Sequence, residues 1–94
     1  MYDILPELYQ KVLAEILDSV GNRGYYSGRL ELEHEGVTCV MSLSAVIYRS
    51  EERYPEGLVQ RIVDMVPVWW EFHTFLDGDE LLNDFSFNSL RQYL

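Results

Sequence analysis

The apolar residues at the start of the chain repeat every three or four positions, which is the spacing of one face of an α-helix. This stripe runs from Leu5 to Val20. Asp3 is placed to cap its start, Pro6 falls in the first turn where its missing N–H costs no hydrogen bond, and Gly21 follows as a stop signal. We therefore predict an N-terminal helix over this stretch, with its apolar face packed on the rest of the protein.

After residue 24 the spacing changes to strict alternation, which is typical of β-strands with one buried face. Residues 25–34 and 37–48 form two such runs, separated by the turn sequence Glu35-Gly36. A two-residue loop at this turn places Leu32 opposite Cys39 and brings the apolar side chains of both strands to one face. We predict a β-hairpin in this register, with Cys39 as a small buried side chain beneath the helix.

The middle of the chain is the least determined part of the pattern. Residues 49–58 are mostly polar and contain the turn signal Tyr54-Pro55-Glu56-Gly57, so we interpret them as a connection. The apolar positions that follow fit either a short helix at 57–65 or a strand. A strand over residues 59–75 would measure about 56 Å, whereas the N-terminal helix measures about 24 Å. We therefore start the third strand near Arg61 and keep the short helix as the alternative.

The dipeptide Asp77-Gly78 is a strong signal for a two-residue hairpin turn. Pairing outward from this turn places Thr74 opposite Leu81 and Trp70 opposite Phe85. Large apolar side chains again collect on one face, which predicts a fourth strand that continues to about residue 88.

The last residues complete the predicted fold. Residues 89–94 can close with a short helical turn, capped by Asn88 or Ser89, that docks Leu90 and Leu94 on the core. The fold class is then α+β: an N-terminal helix packed on one face of a four-stranded antiparallel β-meander, with a short C-terminal helical turn. The length suits one core, so residues 1–94 are expected to form a single compact domain with a radius of gyration of about 12 Å.

The adjacent residues Trp69 and Trp70 carry the main functional signal, because neighbouring residues of a strand point to opposite faces. If Trp70 belongs to the core, Trp69 lies on the face that the helix leaves open. The predicted register collects five more side chains near it: Tyr25, Val40, Val46, Tyr48 and Ser86. Such a patch favours contact with another chain, most simply a second copy. The alternatives are an indole covered by neighbouring side chains or by residues 49–58, and a platform for a small ligand.

Composition narrows the function classes. The 16 acidic and 7 basic residues give a formal charge of −9, which opposes binding to nucleic acid and to anionic membranes. The same charge suits a basic protein partner, so an acidic inhibitor or nucleic-acid mimic is the second interpretation. The aromatic content of 14% indicates a folded domain rather than a disordered acidic tail. We expect the partner to be a second copy or another protein, with no nucleic acid and no membrane.

The cysteine content and the N-terminus bear on the compartment. One cysteine allows no intramolecular disulfide and no cysteine-cluster zinc site. No apolar stretch is long enough to span a bilayer, and the first residues lack the basic region of a secretory signal. We therefore expect a cytoplasmic protein, and the absence of a cofactor motif leads us to expect no cofactor.

Three polar residues of the predicted open face are candidates for acid–base chemistry. The predicted register places Glu71 opposite Asp84, with His73 two residues along the strand. Close carboxylates can share a proton, and a nearby imidazole can act as a base or a metal ligand. A sheet face, however, offers no cleft and no activated nucleophile, and Arg49 or Arg61 could equally neutralise the two acids. We therefore expect that the protein is not an enzyme.

Two further groups resemble metal ligands in composition. The acidic run from Asp77 to Glu80 lacks the ligand spacing of a calcium loop and is interpreted as a solvated turn. His34 stands beside a tight turn and is expected at the surface rather than in a metal site. The sequence therefore leads us to expect no bound metal.

Overall fold

The computed structural model describes residues 1–94 and has the predicted α+β architecture. Helix α1 spans Pro6–Val20 and the short helix α2 spans Phe87–Arg91. The strands are β1 (Tyr25–His34), β2 (Val37–Tyr54), β3 (Gly57–Leu76) and β4 (Asp79–Leu81). They form one antiparallel sheet in the order β1-β2-β3-β4, and the apolar stripe of α1 packs on one of its faces. The predicted meander is confirmed.

Helix α1 buries most of the predicted stripe, but Leu5 and Leu17 are exposed and the helix begins differently from the prediction. Asp3 does not cap it; Leu5 occupies the N-cap position and no side-chain hydrogen bond is made there. The reason is that Tyr2 forms a bridge with Asn83, which holds the segment before the helix against the end of β4. The helix ends as predicted at Gly21, where the backbone adopts a φ of 61°. The buried residues of the helix are Leu8, Tyr9, Val12, Leu13, Ile16 and Val20.

The β1–β2 hairpin has the predicted register at every pair, from Tyr25 with Val46 to His34 with Val37. Its turn residues Glu35 and Gly36 have φ angles of 50° and 82°, as expected of a two-residue turn that follows the twist of the strands. Cys39 is buried against the helix as predicted, and this burial raises the pKa of its thiol above the ordinary value.

Strands β2 and β3 are longer than predicted and continue well past the body of the protein. The turn at residues 54–57 is confirmed, with Tyr54 paired to Gly57. The polar connection over 49–58 and the alternative helix over 57–65 are both wrong, because these residues form the end of the β2–β3 hairpin. The length of α1 does not limit the length of β3, because the strand extends beyond the part of the sheet that the helix covers.

The overhanging hairpin makes the molecule elongated. Its extents are 52 × 23 × 19 Å and its radius of gyration is 14.8 Å, which exceeds the expected value. We call residues 49–62 the arm. Strand β1 ends opposite Val46 and β4 pairs only with Thr74–Leu76, so both edges of the arm are unpaired.

The β2–β3 pairing contains two irregularities, each of which adds a residue to β3. Ser44 pairs with Trp69 but Ala45 pairs with Pro67, and Tyr48 pairs with Asp64 but Arg49 pairs with Ile62. The extra residues are Val68 and Val63. The bulge at Val68 lies beside Pro67 and accommodates a proline that has no N–H to donate.

Strand β4 is much shorter than predicted. The pairing of Thr74 with Leu81 is confirmed, but the ladder ends there. The side-chain amide of Asn83 donates to the backbone carbonyl of Phe72 and to the hydroxyl of Thr74, at 3.3 and 3.2 Å. The Asn83 side chain therefore replaces the backbone hydrogen bonds that a longer β4 would make with β3 at this point. The predicted pairing of residues 83–88 is wrong.

The C-terminal helix and its apolar docking are nevertheless present. Helix α2 is capped by Ser86 rather than by Asn88 or Ser89, and it buries Leu90 completely. The predicted docking of Leu94 is wrong, because the helix ends at Arg91 and Leu94 is exposed. Phe85 stacks on Phe72 with ring centroids 4.2 Å apart. The apolar groups meet on the predicted face, although no ladder joins them.

Candidate functional site

The face of the sheet opposite α1 carries a half-exposed tryptophan. Trp69 is 51% exposed and lies across from Ser44. The alternative in which residues 49–58 cover the indole is wrong, because these residues extend away as the arm. The predicted position of Trp69 on the open face is confirmed.

Further apolar side chains surround Trp69 on this face. We call the set the Trp69 patch; its members are Tyr25, Val46, Tyr48, Val66 and Trp69. Tyr25 pairs with Val46, which in turn pairs with Val66, so three strands contribute to the patch. Val40 lies farther along β2, opposite His73, and is half-buried. Sequence reasoning missed Val66, because the bulge at Pro67 shifts the register on which its face depends.

The arm also exposes apolar side chains: Tyr54, Leu58 and Val59. Val59 pairs with Glu52 and lies on the face of the Trp69 patch, whereas its neighbour Leu58 lies on the other face. The arm contains three arginines and three glutamates and is therefore neutral, although the whole chain carries −9. Arg61 forms an ion pair with Glu52 at 3.6 Å. The Tyr54 hydroxyl donates to the Glu52 carboxylate, and this hydrogen bond raises the pKa of Tyr54. The acidic excess thus lies in the body of the protein.

Ser86 does not belong to the open face, in contrast to the prediction. Its hydroxyl accepts a hydrogen bond from the Ser89 N–H at 3.4 Å, and its own N–H donates to the Tyr9 hydroxyl at 3.0 Å. The prediction failed because β4 ends at Leu81, before any pairing with Trp69.

The predicted carboxylate pair is also wrong. Glu71 lies opposite Ser42 on β2, whereas the Asp84 carboxylate accepts a hydrogen bond of 2.7 Å from the Ile4 N–H. Since Asp84 lies beyond the end of β4, it supports the entry to α1 instead of facing Glu71.

His73 has two carboxylate neighbours, but one of them differs from the prediction. Its Nε2 lies 3.3 Å from Glu71 and its Nδ1 lies 3.5 Å from Glu80. The hydrogen bond to Glu71, followed by that to Glu80, raises the pKa of His73 above its ordinary value of 6.5. The group is exposed. Glu80 lines one of the two surface depressions of the molecule, whereas Glu71 and His73 line neither.

Neither arginine considered for the neutralisation of Glu71 lies near it. Arg49 donates to the backbone carbonyls of Arg23 and Gly21, and Arg61 pairs with Glu52. Arg49 therefore fixes the loop after α1 against the base of the arm.

His34 is buried, contrary to the expectation of a surface residue. It is 8% exposed. Alternation along β1 explains this, because His34 follows Leu32 on the face that α1 covers. The alternation of β1 predicts the burial of His34, whereas its position beside a turn suggests exposure.

Comparisons of the chain with protein-family models, with curated proteins and with solved structures find no match. Neither helix has the length and apolar character that a membrane span needs. The function of this chain is therefore inferred from the surfaces described above.

Proposed function

We propose that this chain is a small acidic, non-enzymatic interaction module that associates with a second copy of itself through the Trp69 patch. The observation that carries the proposal is the half-exposed indole of Trp69 on the sheet face that no helix covers. Contiguous exposed apolar patches of this kind mark interaction sites.

Charge favours a second copy that docks by this face. Two bodies that each carry an acidic excess repel, so two copies approach best where both surfaces are uncharged. No residue of the Trp69 patch is charged, and the arm that continues it is neutral. A two-fold axis presents the same patch on both copies, so one apolar face is covered by the other.

The order of charges along β3 suits an antiparallel arrangement of the two copies. Arg61 and Glu71 each lie five residues from Val66, in opposite directions. If the two-fold axis passes near Val66 and runs across the strands, Arg61 of each copy lies over Glu71 of the other. Sheets stacked face to face with nearly aligned strands are a common packing, about 10 Å apart.

The size of the face is adequate for a dimer. Two to three strands spaced about 4.8 Å apart along the 52 Å axis give roughly 500–750 Å². Stable interfaces bury about 800 Å² on each partner. The contact would therefore be small but within the range of specific association.

The arm gives an independent reason for a covering partner. An isolated two-stranded hairpin is only marginally stable in water. Leu58 and Val59 are both about half exposed on this ribbon, and both its edges lack partners. A second sheet laid over the arm would remove part of this apolar surface from water and stabilise the ribbon.

We expect the module to act in the cytoplasm, where a lone thiol such as that of Cys39 stays reduced. We expect neither nucleic acid nor anionic membrane among its partners, because the net charge opposes both. A basic protein partner is less favoured, since it would leave the uncharged patch uncovered.

Sedimentation equilibrium over a range of concentrations tests the proposal. The wild type is expected to dimerise. Trp69→Ala should weaken the dimer at least about tenfold, because truncation of an interface tryptophan commonly costs more than about 1.4 kcal/mol of binding free energy. Leu82→Ala is the matched control, since Leu82 is 77% exposed but lies outside the patch. A wild type that stays monomeric at the highest accessible concentration would refute the proposal.

Charge exchange tests the antiparallel arrangement. Arg61→Glu and Glu71→Arg should each weaken the dimer, and the double variant should recover most of the loss because opposite charges again face each other. The double variant cannot recover by restoring the ion pair between Arg61 and Glu52 within one chain. The Arg61→Glu substitution removes that pair in the single variant and in the double variant alike. If the losses simply add, the two copies are not arranged in this way.

A further inference from the structure

We propose that Glu7, His34 and Glu35 form a binding site for a divalent transition-metal ion such as Zn²⁺. Glu7 lies in the first turn of α1, His34 is the last residue of β1, and Glu35 begins the β1–β2 turn. One ligand atom from each side chain lies within 4.8 Å of the other two. An ion there would join the start of the helix to the hairpin beneath it.

The state of the His34 side chain is the main argument for a ligand. The residue is more than nine-tenths buried, yet its imidazole makes no hydrogen bond and no ion pair within the chain. No fully buried side-chain nitrogen of the molecule lacks a hydrogen-bond partner, so the ring nitrogens of His34 reach the surface, where an ion can approach them. His73 shows the contrast, because both of its ring nitrogens have carboxylate partners within 3.5 Å. The imidazole of His34 is thus held in place beside two carboxylates without a partner of its own.

The two carboxylates also lack a cationic partner. Lys11 lies one turn after Glu7 and is the basic residue expected to pair with it. Its ammonium instead donates to the backbone carbonyl of Glu33 at 2.6 Å. Neither Glu7 nor Glu35 takes part in an ion pair. Two negative groups therefore converge on the imidazole with one lysine charge nearby, which favours a cation.

The ligand set indicates the class of metal. One imidazole and two carboxylates suit Zn²⁺ and related first-row ions, which take nitrogen and oxygen ligands at about 2.0–2.2 Å. Calcium and magnesium prefer oxygen ligands alone. Glu7 and Glu35 are exposed, so their side chains are able to rotate onto an ion bound to the buried imidazole. Three protein ligands leave a further coordination position for water.

The site is independent of the proposed dimer contact. His34 lies at the β1–β2 turn and faces α1, whereas the Trp69 patch and the arm lie on the opposite face and toward the other end of β2. Loss of one site is therefore expected to leave the other intact.

Calorimetric titration of the tag-free chain with ZnCl₂ tests the inference. We expect one ion per chain, a rise in melting temperature on binding, and no displacement by excess Ca²⁺. Glu35→Asn and His34→Gln should each weaken Zn²⁺ binding at least about tenfold. Asn suits the positive φ at residue 35, so the first variant removes a ligand without harm to the turn.

The control uses the other histidine of the chain. His73→Gln removes an imidazole that also has two carboxylate neighbours, and it should leave Zn²⁺ binding unchanged. If the wild type takes up no Zn²⁺, or if binding survives Glu35→Asn but is lost in His73→Gln, the proposed site is wrong. Sedimentation of the same variants without metal shows whether self-association is retained, so failure of this site is distinguishable from failure of the dimer.

Discussion

Trp69 and Trp70 are neighbours in β3, yet they lie on opposite faces of the sheet. Trp69 is paired with Ser44 on the open face. Trp70 is opposite Leu43, and its ring centroid lies 5.3 Å from that of Phe85. The second indole therefore packs against the C-terminal segment, while the first is left for a contact outside the chain.

The arm is expected to be the least protected part of the sheet in dilute solution. Its edges are unpaired and no helix covers it, so its backbone hydrogen bonds open easily. Hydrogen exchange followed by mass spectrometry should show fast exchange over residues 49–62 at low concentration and slower exchange at high concentration. Peptides from the β1–β2 turn are the internal control. Equal exchange of the arm at both concentrations would contradict a partner that covers it.

Gly28 is expected to be sensitive to a single added methyl group. A Cβ at this position would lie 2.9 Å from the hydroxyl oxygen of Tyr26 and 3.2 Å from the adjacent ring carbon. Tyr26 is buried, so its ring has little room to move. Gly28→Ala should lower the free energy of unfolding by about 1–3 kcal/mol, the usual cost of overpacking.

Gly24 provides the control for this substitution. A Cβ at Gly24 would have no neighbour within 4 Å, and φ at this residue is not positive. Urea denaturation of Gly24→Ala should therefore give nearly the wild-type free energy. Equal losses in the two variants would show that the Tyr26 ring is not the cause.

The β1–β2 hairpin could be predicted residue by residue because two local signals agree. Alternation fixes which side chains are buried, and Glu35-Gly36 fixes the register. The opposite positions of Trp69 and Trp70 follow from the same alternation. Predictions of this kind require no knowledge of distant parts of the chain.

The failures involve interactions between segments distant in sequence. The end of β4 depends on Asn83, whose side chain bonds to Phe72 and Thr74 in β3. The continuation of β2 and β3 into the arm depends on their pairing with each other, which the polar composition of residues 49–58 hides. The burial of His34 was predictable from alternation, but its convergence with Glu7 required the position of α1.

His73 is expected to titrate above pH 6.5. The hydrogen bonds to Glu71 and then to Glu80 favour the protonated ring and raise its pKa. A group whose folded pKa is raised adds stability that is complete below the unfolded pKa and is lost as the pH rises through the folded pKa. His73→Gln should therefore destabilise the protein more at pH 5 than at pH 9.

NMR titration of the imidazole signals measures the His73 pKa directly. Glu71→Gln and Glu80→Gln should each lower this pKa, and Glu71→Gln removes the hydrogen bond that is the largest single cause of the raised value. A His73 pKa at or below 6.5 would be inconsistent with these contacts.

Asp64 and Arg91 are expected to stabilise the docking of α2 in a pH-dependent way. The guanidinium donates from Nε and Nη2 to the two carboxylate oxygens, at 3.0 and 2.7 Å, and lowers the pKa of Asp64 below 3.8. The resulting stability is present above pH 3.8 and disappears as the pH falls through the lowered pKa. Asp64→Asn should be less stable than the wild type at pH 7, and the difference should vanish in strong acid.

Denaturant titrations at several pH values measure this difference. Glu52→Gln, which removes the longer and more exposed ion pair with Arg61, should have a smaller effect. A constant difference between Asp64→Asn and the wild type at all pH values would mean that the contact acts through packing rather than through charge.

Glu35 is expected to reduce the stability of the metal-free fold. It has a φ of 50°, a conformation that favours Asn, Asp and Gly, and the same turn geometry at Asp77-Gly78 uses an aspartate. Without metal, Glu35→Asn should therefore raise the free energy of unfolding by about 0.5–1 kcal/mol. Saturating Zn²⁺ should stabilise the wild type more than the variant, by at least about 1.4 kcal/mol for a tenfold difference in affinity, so the order of their melting temperatures should reverse. Asp77→Asn is the control, because it should leave the melting temperature nearly unchanged with or without Zn²⁺. A Glu35→Asn variant that is less stable than the wild type without metal would mean that the glutamate serves the turn itself, and not a ligand.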